Sequence, residues 1–314
     1  MVSYLIPMKS VIHYISVFAL LSLLLGCSAP GSGGRTTSVV TTIFPLYDFT
    51  REVVGDEDGV ELTCLIDNKV DMHSYTPSSQ DIMAIAQCDV FIYVGGESDA
   101  WVAEVLEQHP NENRVVIRCF DVLDGSLIAE DDPDEEEYDE HVWLSLRNAA
   151  QMVDAIAGVL AQADPEHADA YRINAEGYIA QLEELDARYE QALAGTNRTF
   201  LIADRHPFAY LARDYDLTCF SAFSGCSAET EASFQVIAEL ADALNEHGLT
   251  HVFVIDGNDP KIARAIIAQA GAEGVEILSL NSMQAVTASD IDGGASYLSL
   301  MEENLVVLEE ELSS

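Results

Sequence analysis

Residues 70–96 read VDMHSYTPSSQDIMAIAQCDVFIYVGG. A single histidine, His73, follows a strand-like run and precedes a polar turn, a stretch with helical spacing (77–87) and an apolar run (89–95) that reads as a buried strand. The same order extends to both sides. VVTTIFPLYDF (39–49), VELTCLI (60–66) and RVVIRCF (114–120) are predicted strands, with helical TREVVGDE (50–57) and AWVAEVLEQH (100–109) between them. Such alternation builds a parallel sheet covered by helices on both faces, with ligands at the carboxyl ends of the strands. His73 falls at one of those ends. The pattern returns after residue 196 in RTFLIAD, LTCFSAF, THVFVIDG and VEILSL, separated by helical PFAYLARDY, ASFQVIAELADALNEH and DPKIARAIIAQAG. The fold class is therefore α/β, with two lobes, each a mainly parallel sheet flanked by helices.

Between the lobes lies PEHADAYRINAEGYIAQLEELDARYEQAL (165–193), which repeats apolar residues at helical spacing and ends near Gly195 as a cap. Such a segment makes one long rigid helix of about 45 Å. No second helix of that length is evident to pair with it, so it reads as the lone connection, restricting hinge opening. The resulting boundaries are 38–164 for the first lobe, 165–195 for the linking helix and 196–314 for the second lobe.

Composition limits the partners. In 314 residues, 14 Lys and Arg face 54 Asp and Glu, a formal charge of −40. Such a surface disfavours nucleic acid and anionic lipid, both polyanions, and favours a cation or a basic partner. The N-terminus carries an address. Ile12–Leu25 is almost wholly apolar, follows Lys9 and closes on Leu24-Leu25-Gly26-Cys27, with Met1 and Met8 as alternative starts. The run is short for a membrane span and reads as a secretory signal over 1–27, followed by a flexible tether over 28–37. Its ending resembles a bacterial lipoprotein signal, which implies cleavage before Cys27 and a lipid on that cysteine. Five cysteines remain, Cys64, Cys88, Cys119, Cys219 and Cys226. Outside the cytosol that number suggests up to two disulfides and a free thiol, with Cys219 and Cys226 the nearest local pair.

VTTIFPLYDF, HSYTPSSQDIMAIAQCDVFIYVGG, DEHVWLSLRNA, the long helix, ADRHPFAYLARDY and CSAETEASFQVIAEL follow one another in an order that resembles the zinc and manganese substrate-binding lipoproteins of ABC importers, the ZnuA/TroA type. The resemblance spans about residues 38–312. It implies two α/β lobes joined by a long helix, one divalent metal held between them, no catalytic step, and a monomer that delivers its ion to a membrane permease and its ATPase.

The resemblance assigns metal-ligand roles to His73 and His141. The position three residues before the phenylalanine of the FxY helix, where the family places a histidine or glutamate, is Arg205, which cannot ligate because it stays protonated. His206, one residue on, is the expected substitute. Glu229 and Glu231 fall where the family has a loop acidic pair, with Glu231 taken as the fourth ligand, and Asn281 falls at the family's late aspartate. Three imidazoles favour Zn²⁺, while a more carboxylate-rich set favours Mn²⁺. Imidazoles with ordinary pKa values predict that affinity falls as pH drops through about 6.5. The acidic run EDDPDEEEYDE (130–140), just before His141, is either a solvated charge loop or a weak collector of divalent ions.

Two other classes compete. A secreted metalloenzyme also uses His and Glu, yet the chain has no H-E-x-x-H, G-x-S-x-G or P-loop. A surface adhesin shares the anchor and the acidic surface but does not require His73 and His141 together.

Overall fold

A computed structural model describes residues 36–67, 70–123, 125–129, 137–195, 198–223 and 231–312. The predicted signal with Cys27, most of the tether, residues 130–136 of the acidic run, Glu229 and Cys226 lie outside the described residues.

The first sheet has the order β2-β1-β3-β4, formed by β1 (Thr37–Thr41), β2 (Val60–Cys64), β3 (Val90–Tyr93) and β4 (Val115–Arg118). The second repeats the arrangement as β6-β5-β7-β8, from β5 (Thr199–Arg205), β6 (Thr218–Phe223), β7 (His251–Ile255) and β8 (Glu276–Leu280). Every pairing is parallel. Central strands β1, β3 and β7 are buried almost throughout, which is why they read as continuous apolar runs rather than alternating ones.

One apolar run changes character halfway. Residues 39–49 were predicted as a single strand, but α1 begins at Phe44 and runs to Val54. Pro45 explains the switch, since it lacks a ladder donor but fits a first helical turn. The remaining helices of the first lobe are α2 (Ser79–Gln87), α3 (Trp101–Gln108) and the short α4 (Cys119–Val122). A Ser78–Asp81 capping box starts α2.

The long helix exists but is not alone. It is α6, Ala168–Leu193, 26 residues and about 39 Å. Its buried stripe, Tyr171, Ala175, Tyr178, Leu182, Leu185, Tyr189 and Leu193, advances by three or four residues and faces other helices. Those are α1, the 18-residue α5 (Leu146–Ala163) and the C-terminal α11 (Tyr297–Leu312). The linking helix is thus the centre of a bundle, correcting the expectation of an unpaired spine. Asn174 Nδ2 donates to Val53 O at 3.0 Å, and Tyr189 Oη donates to Met301 O at 2.6 Å.

In the second lobe, α7 (Ala209–Asp214), α8 (Phe234–Glu246), α9 (Lys261–Ala270) and α10 (Ala288–Asp292) connect the strands. Helix α11 then returns to the first lobe, where Tyr297 N donates to Asp48 Oδ2 at 2.8 Å and Tyr297 Oη to Trp143 O at 2.6 Å. One hydrophobic core consequently runs from the first sheet through the bundle to one face of the second sheet, while a smaller core fills that sheet's other side.

Disulfides are absent among the described cysteines. Cys64, Cys88, Cys119 and Cys219 all carry free thiols, which corrects the expected pairing of Cys219. Cys88 and Cys119 pack in the core as small apolar side chains. Burial pushes the Cys64 and Cys88 thiols up to about 12, so they are protonated at neutral pH. Among the described residues no helix is long and apolar enough to cross a membrane.

Candidate metal centre

The same local device positions both motif histidines. His73 lies in a single 3₁₀ turn (Met72–Ser74) beyond β2, and Asp71 Oδ1 accepts its backbone N–H at 3.1 Å. His141 directly precedes the turn Val142–Leu144 that leads into α5, and Asp139 Oδ1 accepts its backbone N–H at 2.8 Å. Each histidine therefore follows an aspartate by two residues, in an Asx-type turn that fixes the main chain and with it the ring.

The Nδ1 atoms face polar partners. His141 Nδ1 lies 3.0 Å from Asp139 Oδ1, and the imidazole is fully buried. His73 Nδ1 lies 2.9 Å from Ser98 Oγ and 3.7 Å from Glu140 Oε2. Glu140 is held in turn by Ser98 N, which donates to Oε1 at 2.6 Å. Gly96 is the residue that makes room, since a Cβ there would come within 2.2 Å of Glu140 Oε1. A carboxylate beside Nδ1 draws the ring proton to that nitrogen and leaves the lone pair on Nε2, the tautomer a metal requires.

The two Nε2 atoms then meet at 3.4 Å. Two nitrogens on a tetrahedral zinc, each at about 2.05 Å, are separated by about 3.3 Å. A third corner comes from Gln284, whose side-chain amide end lies 3.3 Å from His73 Nε2 and 3.0 Å from His141 Nε2. The three atoms form a triangle of the size of one tetrahedral face. Which amide atom points inward follows from what it meets: NH₂ donates to imidazole lone pairs, and after half a turn of the amide Oε1 faces a cation.

Gln284 sits in a loop after β8 that is tied down at nearly every residue. Asn281 N donates to Asn304 Oδ1 at 2.7 Å, Ser282 N to Asp256 Oδ1 at 3.0 Å and Met283 N to Asn281 Oδ1 at 2.8 Å. Met283 is held at φ 64°. Trp143 Nε1 reaches across from the first lobe and donates to Ser282 O at 3.0 Å. Asn281, matched above to a late aspartate, thus spends its side chain on the loop, and Gln284, three residues later, supplies the polar group facing the histidines.

His206 follows β5 directly. Its Nδ1 is buried and without a hydrogen-bond partner, a costly condition for an interior ring nitrogen. Burial lowers its pKa to about 4, with His141 acting in the same direction and Asp139 against, which places it within electrostatic reach of the centre. His73 is also pushed down to about 4, first by burial and then by His141. Both rings are neutral at pH 7, with lone pairs free for a cation.

Glu231 is not brought to the histidines. It is 82 % exposed and faces Lys261 Nζ at 3.6 Å. Among the described residues no three His, Cys, Asp or Glu side chains close around one point, so neither Glu231 nor His206 closes on the histidine pair, and the third polar group that faces it is the Gln284 amide. Asp139 and Glu140, the last carboxylates of the acidic run, are buried partners of the histidines rather than solvated charges.

Comparison with known proteins fits this geometry. Residues 39–311 match the family described as zinc-uptake complex component A periplasmic, ZnuA. The chain is 30 % identical over 296 residues to the zinc-binding lipoprotein AdcA of Streptococcus pneumoniae, covering 91 % of this chain and 58 % of that protein. It is 28 % identical over 298 residues to the high-affinity zinc uptake system protein ZnuA of Bacillus subtilis, covering 90 % and 89 %. The chain thus spans a little over half the length of its streptococcal relatives and most of the Bacillus one. The crystal structure of the Zn(II)-bound ZnuA-like domain of S. pneumoniae AdcA superposes with a TM-score of 0.73 at 27 % identity, over 90 % of this chain and 100 % of that one.

Proposed function

Because the chain belongs to the ZnuA family of zinc-uptake components, we propose that it captures a divalent transition metal outside the cytoplasm and hands it to the permease of an ABC importer driven by a cytoplasmic ATPase. It binds and releases; no catalytic step is assigned to it. The observation that carries this reading is the 3.4 Å approach of His73 Nε2 and His141 Nε2, with each Nδ1 backed by polar groups.

His73 and His141 are the inner ligands and Gln284 Oε1 takes a third corner; His206 stands outside that triangle and would complete the set by a shift of the segment after β5. This nitrogen-rich, carboxylate-free set favours zinc over manganese. Asp139, Ser98 and Glu140 hold the ring orientations. The secretory leader and a lipid on Cys27 place the domain at the outer face of a cell membrane, as a monomer.

Metal content of tag-free protein, followed by competition titration of Zn²⁺ and Mn²⁺ against a chromophoric chelator, tests this. One zinc per chain, bound much more tightly than manganese, is expected. Protein that binds neither ion above the level of a His73→Ala, His141→Ala double variant overturns the reading.

A further inference from the structure

Asp71 uses its two carboxylate oxygens for different lobes. Oδ1 caps the backbone of His73, as described, while Oδ2 accepts from Arg205 Nη2 in a close ion pair across the interlobe boundary. The partners are 134 residues apart in sequence. Arg205 is the last residue of β5 and immediately precedes His206; its main chain leaves regular register with β6 between Ile202 and Arg205. One ion pair therefore joins the two segments that carry His73 and His206.

Its surroundings make this more than an incidental surface pair. The Arg205 side chain is only 14 % exposed, and its Nε is buried without a hydrogen-bond partner. Partial burial of the guanidinium strengthens the attraction relative to bulk water, while the more exposed Asp71 leaves it open to screening by salt. Burial raises the Asp71 carboxyl, but hydrogen bonding and charge from Arg205 outweigh that and hold it below the usual carboxylate range.

We propose that Asp71–Arg205 is an interlobe latch: it holds the His73 turn of the first lobe against the His206 segment of the second and thereby sets how slowly the bound cation leaves. The guanidinium is a positioning group and never a ligand. It keeps the donors in register. Separation of the lobes requires this bond to break, so latch and ion oppose opening together. The inference rests on the metal-binding reading above.

Stopped-flow release of Zn²⁺ into excess chelator tests it on the full chain, in Asp71→Asn, Arg205→Met and the double variant. Asparagine at 71 keeps an acceptor for His73 N and removes only the charge. Release about tenfold faster in each single variant, with the double variant no faster than either, is expected for a shared interaction. Parental release should accelerate with ionic strength, and the variants should respond less.

Hydrogen–deuterium exchange of chelator-treated protein gives a readout that does not involve zinc. Asp71→Asn should raise exchange across residues 199–206, and Arg205→Met across 71–75. Release rates within twofold of the parent, or single effects that multiply in the double variant with no cross-lobe change in exchange, overturn the latch. If His141→Ala also binds and releases zinc like the parent, the metal centre itself has been misassigned; a His141→Ala that loses zinc while the latch variants behave normally sinks the latch alone.

Discussion

His73 Nε2 and His141 Nε2 stand 3.4 Å apart although each imidazole comes from a different turn and 68 residues separate them. Both turns end in an aspartate-capped histidine, and both Nδ1 atoms are occupied from behind. The approach is an outcome of main-chain placement, and the rings have little freedom to escape it.

Removing either ring should weaken zinc binding by at least about a hundredfold, because each is one of few inner ligands. Asp139→Asn should cost about 10- to 100-fold by loosening the tautomer and orientation of His141. Competition titration reads both, and far-UV circular dichroism should stay parental. Full affinity in His141→Ala would exclude this pair as the centre.

Gln284 is the test of the third corner. Gln284→Leu keeps approximate size but offers no oxygen, and zinc affinity should fall about tenfold or more. Gln284→Glu supplies a charged oxygen at the same place and should bind zinc more tightly than the parent. Calorimetry that finds all three alike would show that position 284 does not face the ion.

His206 and Glu231 differ sharply in environment, and their variants should differ too. His206→Ala removes a half-buried ring whose Nδ1 has no hydrogen-bond partner and should lower zinc affinity nearly as far as His73→Ala. Glu231→Gln alters a side chain that is 82 % exposed beside Lys261 and should leave affinity within about twofold of the parent, since exposed ion pairs contribute little. The opposite ranking would restore the glutamate as ligand.

Acid should act later than free histidines suggest. With His73 and His206 held near 4 by burial, protons begin to compete with zinc as pH approaches about 4, not at about 6.5. For stability the sign is as follows: between about 4 and 6.5 the unfolded chain binds protons on these histidines that the folded one does not, so they make stability rise with pH in that window. Asp48 and Asp99, raised by burial to about 6, act with the opposite sign over nearly the same range. Urea midpoints of the parent should therefore change little there, and Asp99→Asn should uncover a positive slope. A parental affinity that halves repeatedly between pH 7 and 6 would contradict the depressed values.

The lobes were legible because buried parallel strands are written as apolar runs, and seven of the eight predicted runs needed only trimming at their ends. VVTTIFPLYDF misled because period alone does not mark where Pro45 turns a strand into a helix. The bundle around α6 was missed for another reason: Leu146–Ala163 and Tyr297–Leu312 are ordinary amphipathic segments whose partner is decided only by tertiary packing. At the centre, His73 and His141 were found through motif resemblance. Their capping aspartates were also in plain view, as D-x-H at 71–73 and again at 139–141, but a repeated triplet acquires meaning only when both turns are seen to meet. Gln284 carried no signal at all, since an amide in a loop after a strand is commonplace until its neighbours are known.

Trp143 is one of two tryptophans in the chain, and its ring centroid lies 5.3 Å from that of His141. The other, Trp101, packs against Tyr75 at 5.8 Å. An indole so near the candidate centre, with its N–H engaged across the lobes, gives the protein an intrinsic optical reporter: its fluorescence should respond to ion capture without any attached dye, and Trp101→Phe would leave that emission as a single, local signal.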